Sequence, residues 1–218
     1  MKNLPKGFRG AATAAGLKST GALDLTIIEN MGPRFDAAAV YTSNKVVAAP
    51  VIWSREVTKG KIVRAAVLNS GGANACTGPQ GFADTHHTAE KVGELLGISS
   101  GEVVVCSTGL IGELLPMPKI LSGLESIANV LRPDSLDDVS RAIMTTDSIP
   151  KVATTIIKGA EFAGIAKGAG MLAPALATML SVVMTDAILP LNAQEIFTRV
   201  TDRTFNRIDS DGCTSTND

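Results

Sequence analysis

The amino-acid sequence predicts a protein of the α+β class. Segments of strand and helix character interleave along its 218 residues, without the regular strand–helix–strand repeat of a parallel doubly wound sheet. Hydrophobic residues make up 45% of the chain and charged residues 19%, which is typical of a globular protein with a sizeable core. The many small residues favour closely packed sheets.

The first third of the chain reads mainly as strands. Residues 23–28 alternate loosely between apolar and polar, and residues 37–42 and 62–68 are short apolar runs bounded by turn residues. Turns are predicted at 31–33 and 58–61, where Gly, Pro and Lys cluster.

The rest of the chain mixes helices and strands. Apolar side chains at helical spacing predict a helix from near Asp84 to Leu96, and Gly97 is expected to end it. β-Branched residues favour a strand within 152–165. The other predicted strands are 102–106 and 181–187, and the other predicted helices are 117–131, 136–144 and 193–204, the last with Asn192 as N-cap.

Bulk composition excludes several functional classes. A net charge of −1 and an aromatic content of 4% argue against nucleic acid or an anionic membrane as a partner. Cys76, Cys106 and Cys213 form an odd set without metal-site spacing, which favours reduced thiols in a cytoplasmic protein. The longest apolar run, 171–184, is too short to span a membrane.

Residues 167–180 place one hydroxyl, that of Thr178, in an apolar run directly before a predicted strand. A threonine hydroxyl is a poor nucleophile without an adjacent base, and the α-amine freed by cutting the chain before it can serve as that base. Such an amine titrates near ~7.7–8.0, so a useful fraction is unprotonated at neutral pH. The alternative is an ordinary threonine in a buried strand, and the spacing alone does not exclude it.

Five blocks of the chain carry a resemblance to a known family: LNSGGANACTG (68–78), CSTGLIG (106–112), AIMTTD (142–147), KGAGMLAPALATML (167–180) and DSDGCTSTND (209–218). They resemble the ornithine acetyltransferase family, and the likeness runs in one order from Gly7 to Asp218. Its members are the bifunctional glutamate N-acetyltransferases of arginine biosynthesis, whose chains are considerably longer.

The resemblance implies a DmpA/ornithine-acetyltransferase-like fold of the N-terminal-nucleophile type, with β-sheets packed between helices. It implies self-cleavage between Ala177 and Thr178, so that residues 1–177 form an α-chain region and residues 178–218 begin a β-chain region. Thr178 would then carry the acetyl group from N-acetylornithine to glutamate. No cofactor is implied, and whether acetyl-CoA also serves as an acetyl donor stays open.

Further site residues follow from the same resemblance. Thr108 and Gly109 would form the oxyanion hole, through one hydroxyl and one backbone N–H. Thr145 and Lys167 would contact substrate together with Thr178, with the Lys167 charge holding a carboxylate. The ordinary alternatives are a capped turn, a threonine at a helix end and an exposed lysine.

Three weaker motifs do not carry a function. Residues 168–173 match GxGxxA, but Pro174 lies where a dinucleotide-binding helix should begin. Residues 209–212 lack the glycine position and the acidic residue of a calcium loop. The adjacent His86 and His87 point to different faces of a helix, so no metal site is expected.

Two rival functions remain open. An aminopeptidase or amidase could use the same N-terminal threonine and pass the acyl group to water. An inactive remnant could bind the amino acid, or a longer partner, without turnover. The resemblance also implies small-molecule substrates and an oligomer assembled from cleaved α and β chains.

Overall fold

The computed structural model describes residues 3–171 and 179–217. These residues form seven strands and five α-helices. The strands are β1 (Phe8–Thr13), β2 (Leu25–Asn30), β3 (Ala65–Asn69), β4 (Val103–Ser107), β5 (Lys151–Ile157), β6 (Ala160–Lys167) and β7 (Leu180–Thr185). The helices are α1 (Ala49–Thr58), α2 (Gly78–Leu96), α3 (Met117–Ala128), α4 (Leu136–Ala142) and α5 (Ala193–Arg203).

The first sheet contains four strands in the order β1-β2-β3-β4. Neighbouring strands are antiparallel except β3 and β4, which are parallel and are connected through α2. Helix α1 lies along the outer side of β4, where Trp53 Nε1 donates to the Val103 carbonyl at 2.9 Å. Ser54 Oγ also donates to the Val105 carbonyl at 2.8 Å, so α1 supplies polar partners to a strand at the sheet's edge.

One face of this sheet packs against α2 and α3. Leu25, Ile27 and Val67 meet Val92 and Leu124 in a core whose members are almost completely buried. Burying a large aliphatic side chain stabilises the fold by roughly 1.5–3 kcal/mol. This layer fixes the position of β4, whose end carries the predicted oxyanion residues.

The second sheet has three antiparallel strands in the order β5-β6-β7 and lies on the other face of the first. Between the sheets, Leu68 packs with Leu136 and Val139 of α4 and with Ile165 and Met184 of the second sheet. The layers are therefore helices, sheet and sheet, with α4 beside the second sheet. The predicted α+β class is confirmed.

Two predicted strands differ from the structure, and two elements were missed. Residues 37–42 are extended but form no strand, because their neighbour is α5: Ala39 exchanges hydrogen bonds with the Gln194 side chain instead of with a strand. The strand predicted within 152–165 is two strands, β5 and β6, joined at Lys158–Gly159. Strand β1 and helix α1 were not predicted.

Strand β5 is exposed along its whole length. Its apolar side chains include Ile156 and Ile157, which are 63% and 53% exposed. None of the helices in residues 3–171 and 179–217 has both the length and the apolar character needed to cross a membrane.

Candidate active site

Thr108 and Gly109 directly follow β4. Ser107 and Thr108 are buried, and the Thr108 N–H donates to the Asn69 carbonyl at 3.0 Å. Gly109 has φ of +136°, and a Cβ there would lie 2.8 Å from the Gly72 nitrogen. Glycine is required at this position for both its backbone conformation and its close approach to residue 72.

Lys167 ends β6 on the neighbouring sheet, and its side chain reaches Thr108. Lys167 Nζ lies 3.0 Å from Thr108 Oγ1, and the two residues are 3% and 2% exposed. An ammonium group has donors only, so Thr108 Oγ1 accepts in this contact. The Thr108 hydroxyl proton therefore remains available to donate to another oxygen.

Asp147 brings Thr145 to the same region. Its carboxylate accepts the Thr145 N–H at 3.1 Å and the Gly168 N–H at 2.8 Å, and it pairs with Lys151. Burial alone would raise the pKa of the Asp147 carboxyl, but hydrogen bonds from Lys151, Gly168 and Thr145 outweigh it and lower the pKa. Thr145 is thus connected through one carboxylate to the residue that follows Lys167.

The end of the described chain contacts the same strand end. Asn217 is 5% exposed, and its Nδ2 donates to the carbonyl of Ser107 at 2.8 Å and to that of Ala73. The Ala48 N–H donates to the Thr216 carbonyl at 2.9 Å. Residues 216–217 therefore support the turn that carries Thr108.

Ala177 and Thr178, the predicted cleavage residues, lie outside the described residues. On either side of them, Lys167 pairs with Leu180 in the β6–β7 register. The strands that bracket the predicted junction therefore meet at the residue that contacts Thr108.

A cavity of about 570 Å³ lies between β7, α5 and residues 36–41. Its lining is mostly apolar, with Phe162, Val182, Phe197 and Val200 among its members. Thr108, Thr145 and Lys167 are not among its lining residues. Leu180 and Asn217 do line it, so among the described residues the cavity borders the candidate site without including these three side chains.

The weaker motifs have structural explanations. Strand β6, which precedes Gly168, is the centre of an antiparallel sheet, whereas the dinucleotide motif requires a parallel strand–helix unit. His86 is 45% exposed and stacks near Trp53 at 4.9 Å between ring centroids. Within the part of the chain that is described, no three His, Cys, Asp or Glu side chains are grouped as a metal site would require.

Sequence reasoning did not single out Asp147, Asn217 or Asp211, although all three lie in the quoted blocks. Asp147 accepts the N–H of Thr145, two residues before it, which is the reverse of an Asx turn, so turn chemistry does not indicate this contact. Asp211 accepts the Met171 N–H at 2.7 Å, and Asn217 contacts residues 73 and 107. These are long-range contacts that no local pattern indicates.

The sequence matches the ArgJ family over residues 9–218. The arginine biosynthesis bifunctional protein ArgJ of Streptomyces coelicolor is 55% identical over 214 residues, which cover 98% of this chain and 56% of that protein. The protein of the same name from Mycobacterium tuberculosis strain H37Rv is 51% identical over 223 residues, covering 98% of this chain and 55% of that one. The chain thus spans about half the length of these curated relatives.

Two solved structures share the fold. A crystal structure of ornithine acetyltransferase complexed with ornithine from Mycobacterium tuberculosis has a TM-score of 0.72 and 44% identity, covering 82% of this chain and 97% of that one. The arginine biosynthesis bifunctional protein from Bacillus halodurans has a TM-score of 0.71 and 36% identity, covering 81% and 92%.

Proposed function

The chain belongs to the ArgJ family, and from that premise we propose that it carries an acetyl group from N-acetylornithine to glutamate through an acetyl-Thr178 intermediate. Self-cleavage between Ala177 and Thr178 precedes transfer. The contact between Lys167 Nζ and Thr108 Oγ1 carries the proposal, because it joins a cation and a polarised hydroxyl at one buried point.

Thr108 supplies an oxyanion donor in this proposal. Because its oxygen accepts from Lys167, its proton is directed elsewhere, and the nearby positive charge strengthens that donor. Gly109 adds its backbone N–H. One such donor is typically worth ~10²–10³ in rate.

Lys167 and Thr145 form the substrate side of the site. The Lys167 ammonium attracts the α-carboxylate of N-acetylornithine, or later of glutamate, and burial strengthens that attraction. Asp147 fixes the Thr145 backbone beside the Lys167–Gly168 step. The ornithine named in the Mycobacterium tuberculosis structure supports an amino-acid substrate of this kind.

In cleavage, the Thr178 hydroxyl attacks the Ala177 carbonyl and forms an ester, and the peptide nitrogen leaves as the free Thr178 amine. Water then hydrolyses the ester, which releases the Ala177 carboxylate and regenerates the Thr178 hydroxyl. That amine takes the hydroxyl proton when Thr178 attacks the acetyl donor, ornithine departs, and glutamate accepts the acetyl group.

The solved Mycobacterium chain supports cleavage through its length. The match covers 97% of the solved chain and 82% of this chain, and that share of this chain is close in length to residues 1–177. The curated relative from the same organism is covered only to 55%.

The proposal extends to the acetyl donor, the assembly and the location of the protein. Acetyl-CoA is an additional candidate donor, and no resident cofactor is invoked. Assembly with other chains is supported by the apolar side chains exposed on β5. A cytoplasmic location is supported by the free thiols of Cys76 and Cys213, which suit a reducing compartment.

Intact-mass measurement of the purified chain, beside Thr178→Ala, tests the cleavage step. We expect two species whose masses sum to the precursor plus one water, and an uncut variant. A single uncut species for both proteins would contradict the proposed nucleophile in this chain.

Incubation with acetyl-labelled N-acetylornithine then tests the acceptor. Label in acetylglutamate, dependent on added glutamate, supports transfer. Label only in acetate identifies the amidase alternative, and binding without turnover identifies the remnant.

A further inference from the structure

We propose that Asp211 is a positioning residue for self-cleavage, acting through the turn that leads into the junction segment. The inference rests on the proposed function, because it assumes that the chain is cut before Thr178. Asp211 lies on the C-terminal side of that junction, and the turn lies on the N-terminal side.

The two carboxylate oxygens of Asp211 serve different segments. Oδ1 accepts the Cys213 N–H at 3.2 Å within its own loop, and Oδ2 accepts the Met171 N–H at 2.7 Å. The loop is itself closed by the Gly212 N–H donating to Asp209 Oδ1 at 3.1 Å. Asp211 is therefore oriented by its own loop while it holds a distant backbone.

Residues 168–171 are held at both ends by carboxylates from other parts of the chain. Asp147 accepts the Gly168 N–H, and Asp211 accepts the Met171 N–H. Met171 has φ of +56°, a conformation that is uncommon for a residue with a side chain. The hydrogen bond from its N–H to Asp211 offsets part of the cost of that conformation.

These contacts restrict where the junction segment begins and ends. The turn that precedes it is held at Met171, and the strand that follows it begins at Leu180, which pairs with Lys167. Intramolecular attack of a hydroxyl on the preceding carbonyl depends steeply on geometry, so limiting the conformers of the segment speeds the reaction. The role assigned to Asp211 is to position this turn.

Cleavage kinetics of Asp211 variants test the proposal. The 218-residue chain is pulse-labelled during cell-free translation, and loss of the precursor is followed on gels for the unsubstituted chain, Asp211→Ala, Asp211→Asn and Asp209→Ala. Asp211→Ala should slow cleavage roughly tenfold, as expected for losing the hydrogen bond from the Met171 N–H to a charged acceptor together with the bond that orients that acceptor.

The matched variants separate positioning from folding. Asp211→Asn keeps one acceptor oxygen for the Met171 N–H and should restore part of the rate. Asp209→Ala should slow cleavage much less than Asp211→Ala, because it removes a contact within the loop but leaves the bond to Met171. Urea unfolding of Thr178→Ala with and without Asp211→Ala compares stability in uncut chains. We expect both to remain folded.

Each contrary result has a distinct meaning. Cleavage of Asp211→Ala at the unsubstituted rate would overturn the positioning role and leave the nucleophile intact. Equal slowing in Asp209→Ala, no rescue by Asp211→Asn, or loss of the fold in the uncut pair would also overturn it. An unsubstituted chain that never cleaves, or cleavage in Thr178→Ala, would overturn both proposals.

Discussion

Lys167 Nζ lies 3.0 Å from Thr108 Oγ1, and this contact connects the end of β6 in one sheet to the residue after β4 in the other. Both residues are buried, so the contact is shielded from solvent. The two sheets therefore meet at a charged hydrogen bond as well as through apolar packing.

Replacing Lys167 by methionine should remove substrate affinity while preserving side-chain length. We expect the dissociation constant for N-acetylornithine to rise at least about tenfold, because the buried ammonium no longer attracts the carboxylate. Isothermal titration measures the change. Lys59→Met is the control, since Lys59 is exposed and pairs with Glu56 on the surface. Unchanged affinity in Lys167→Met would remove Lys167 from the site.

Gly109→Ala should destabilise the fold more than Gly112→Ala. Both glycines have positive φ, but a Cβ at Gly109 meets the Gly72 backbone at 2.8 Å, whereas nothing lies within 4 Å of a Cβ at Gly112. We expect a loss of ~2–4 kcal/mol at Gly109 from strain and overlap, and ~1–2 kcal/mol at Gly112 from strain. Urea unfolding compares them, and equal losses would contradict the close approach.

Asp147→Asn should reduce stability at neutral pH but much less in acid. The folded-state pKa is lowered from its ordinary value near ~3.9, so the stabilisation is present above that value and is lost as pH falls through the folded pKa. At pH 7 we expect a deficit of ~1–3 kcal/mol in the free energy of unfolding.

Urea unfolding of both proteins at neutral pH and below about pH 4 measures this difference. Asp134→Asn is the control, because Asp134 is largely exposed and its surface pair with Arg132 contributes little. A deficit that stayed constant across the pH range would mean that the Asp147 charge is not responsible.

Asn217→Asp should be more damaging than Asn217→Ala. The amide Nδ2 donates to two carbonyl oxygens, those of Ala73 and Ser107, and a carboxylate would place a negative charge against both. We expect losses of ~1–2 kcal/mol for alanine and ~2–4 kcal/mol for aspartate. Thermal unfolding of the two variants checks the order, and a reversed order would show that the donated bonds are unimportant.

Local sequence patterns predicted those helices and strands whose ends are marked by characteristic residues. The end of α2 at Leu96 follows from Gly97, which adopts a left-handed φ of 66°. Helix α1 was missed because Val51, Val57 and other β-branched residues resemble a strand, although Pro50 in its first turn was a usable start signal. The β5–β6 turn was missed because Lys158 stands where a glycine or asparagine is usual, with φ of 51°.

The candidate site could be predicted only through resemblance to a family. Thr108 and Lys167 are far apart in sequence, and each has an ordinary local explanation. Their meeting depends on how two sheets stack around Leu68 and Ile165, and short-range patterns do not encode such stacking. The prediction that Thr178 is the nucleophile stays a prediction.

The pairing of β6 with β7 also determines what a cut between them would do. Six residue pairs, from Phe162–Thr185 to Lys167–Leu180, join the strands independently of the connecting peptide. A break before residue 178 would leave β6 and β7 in two different chains that are already paired. The two products would therefore need no diffusional encounter to associate. The same pairing suits residues 1–177 and 178–218 to split-protein reconstitution, in which two separately made fragments associate by pairing β6 with β7.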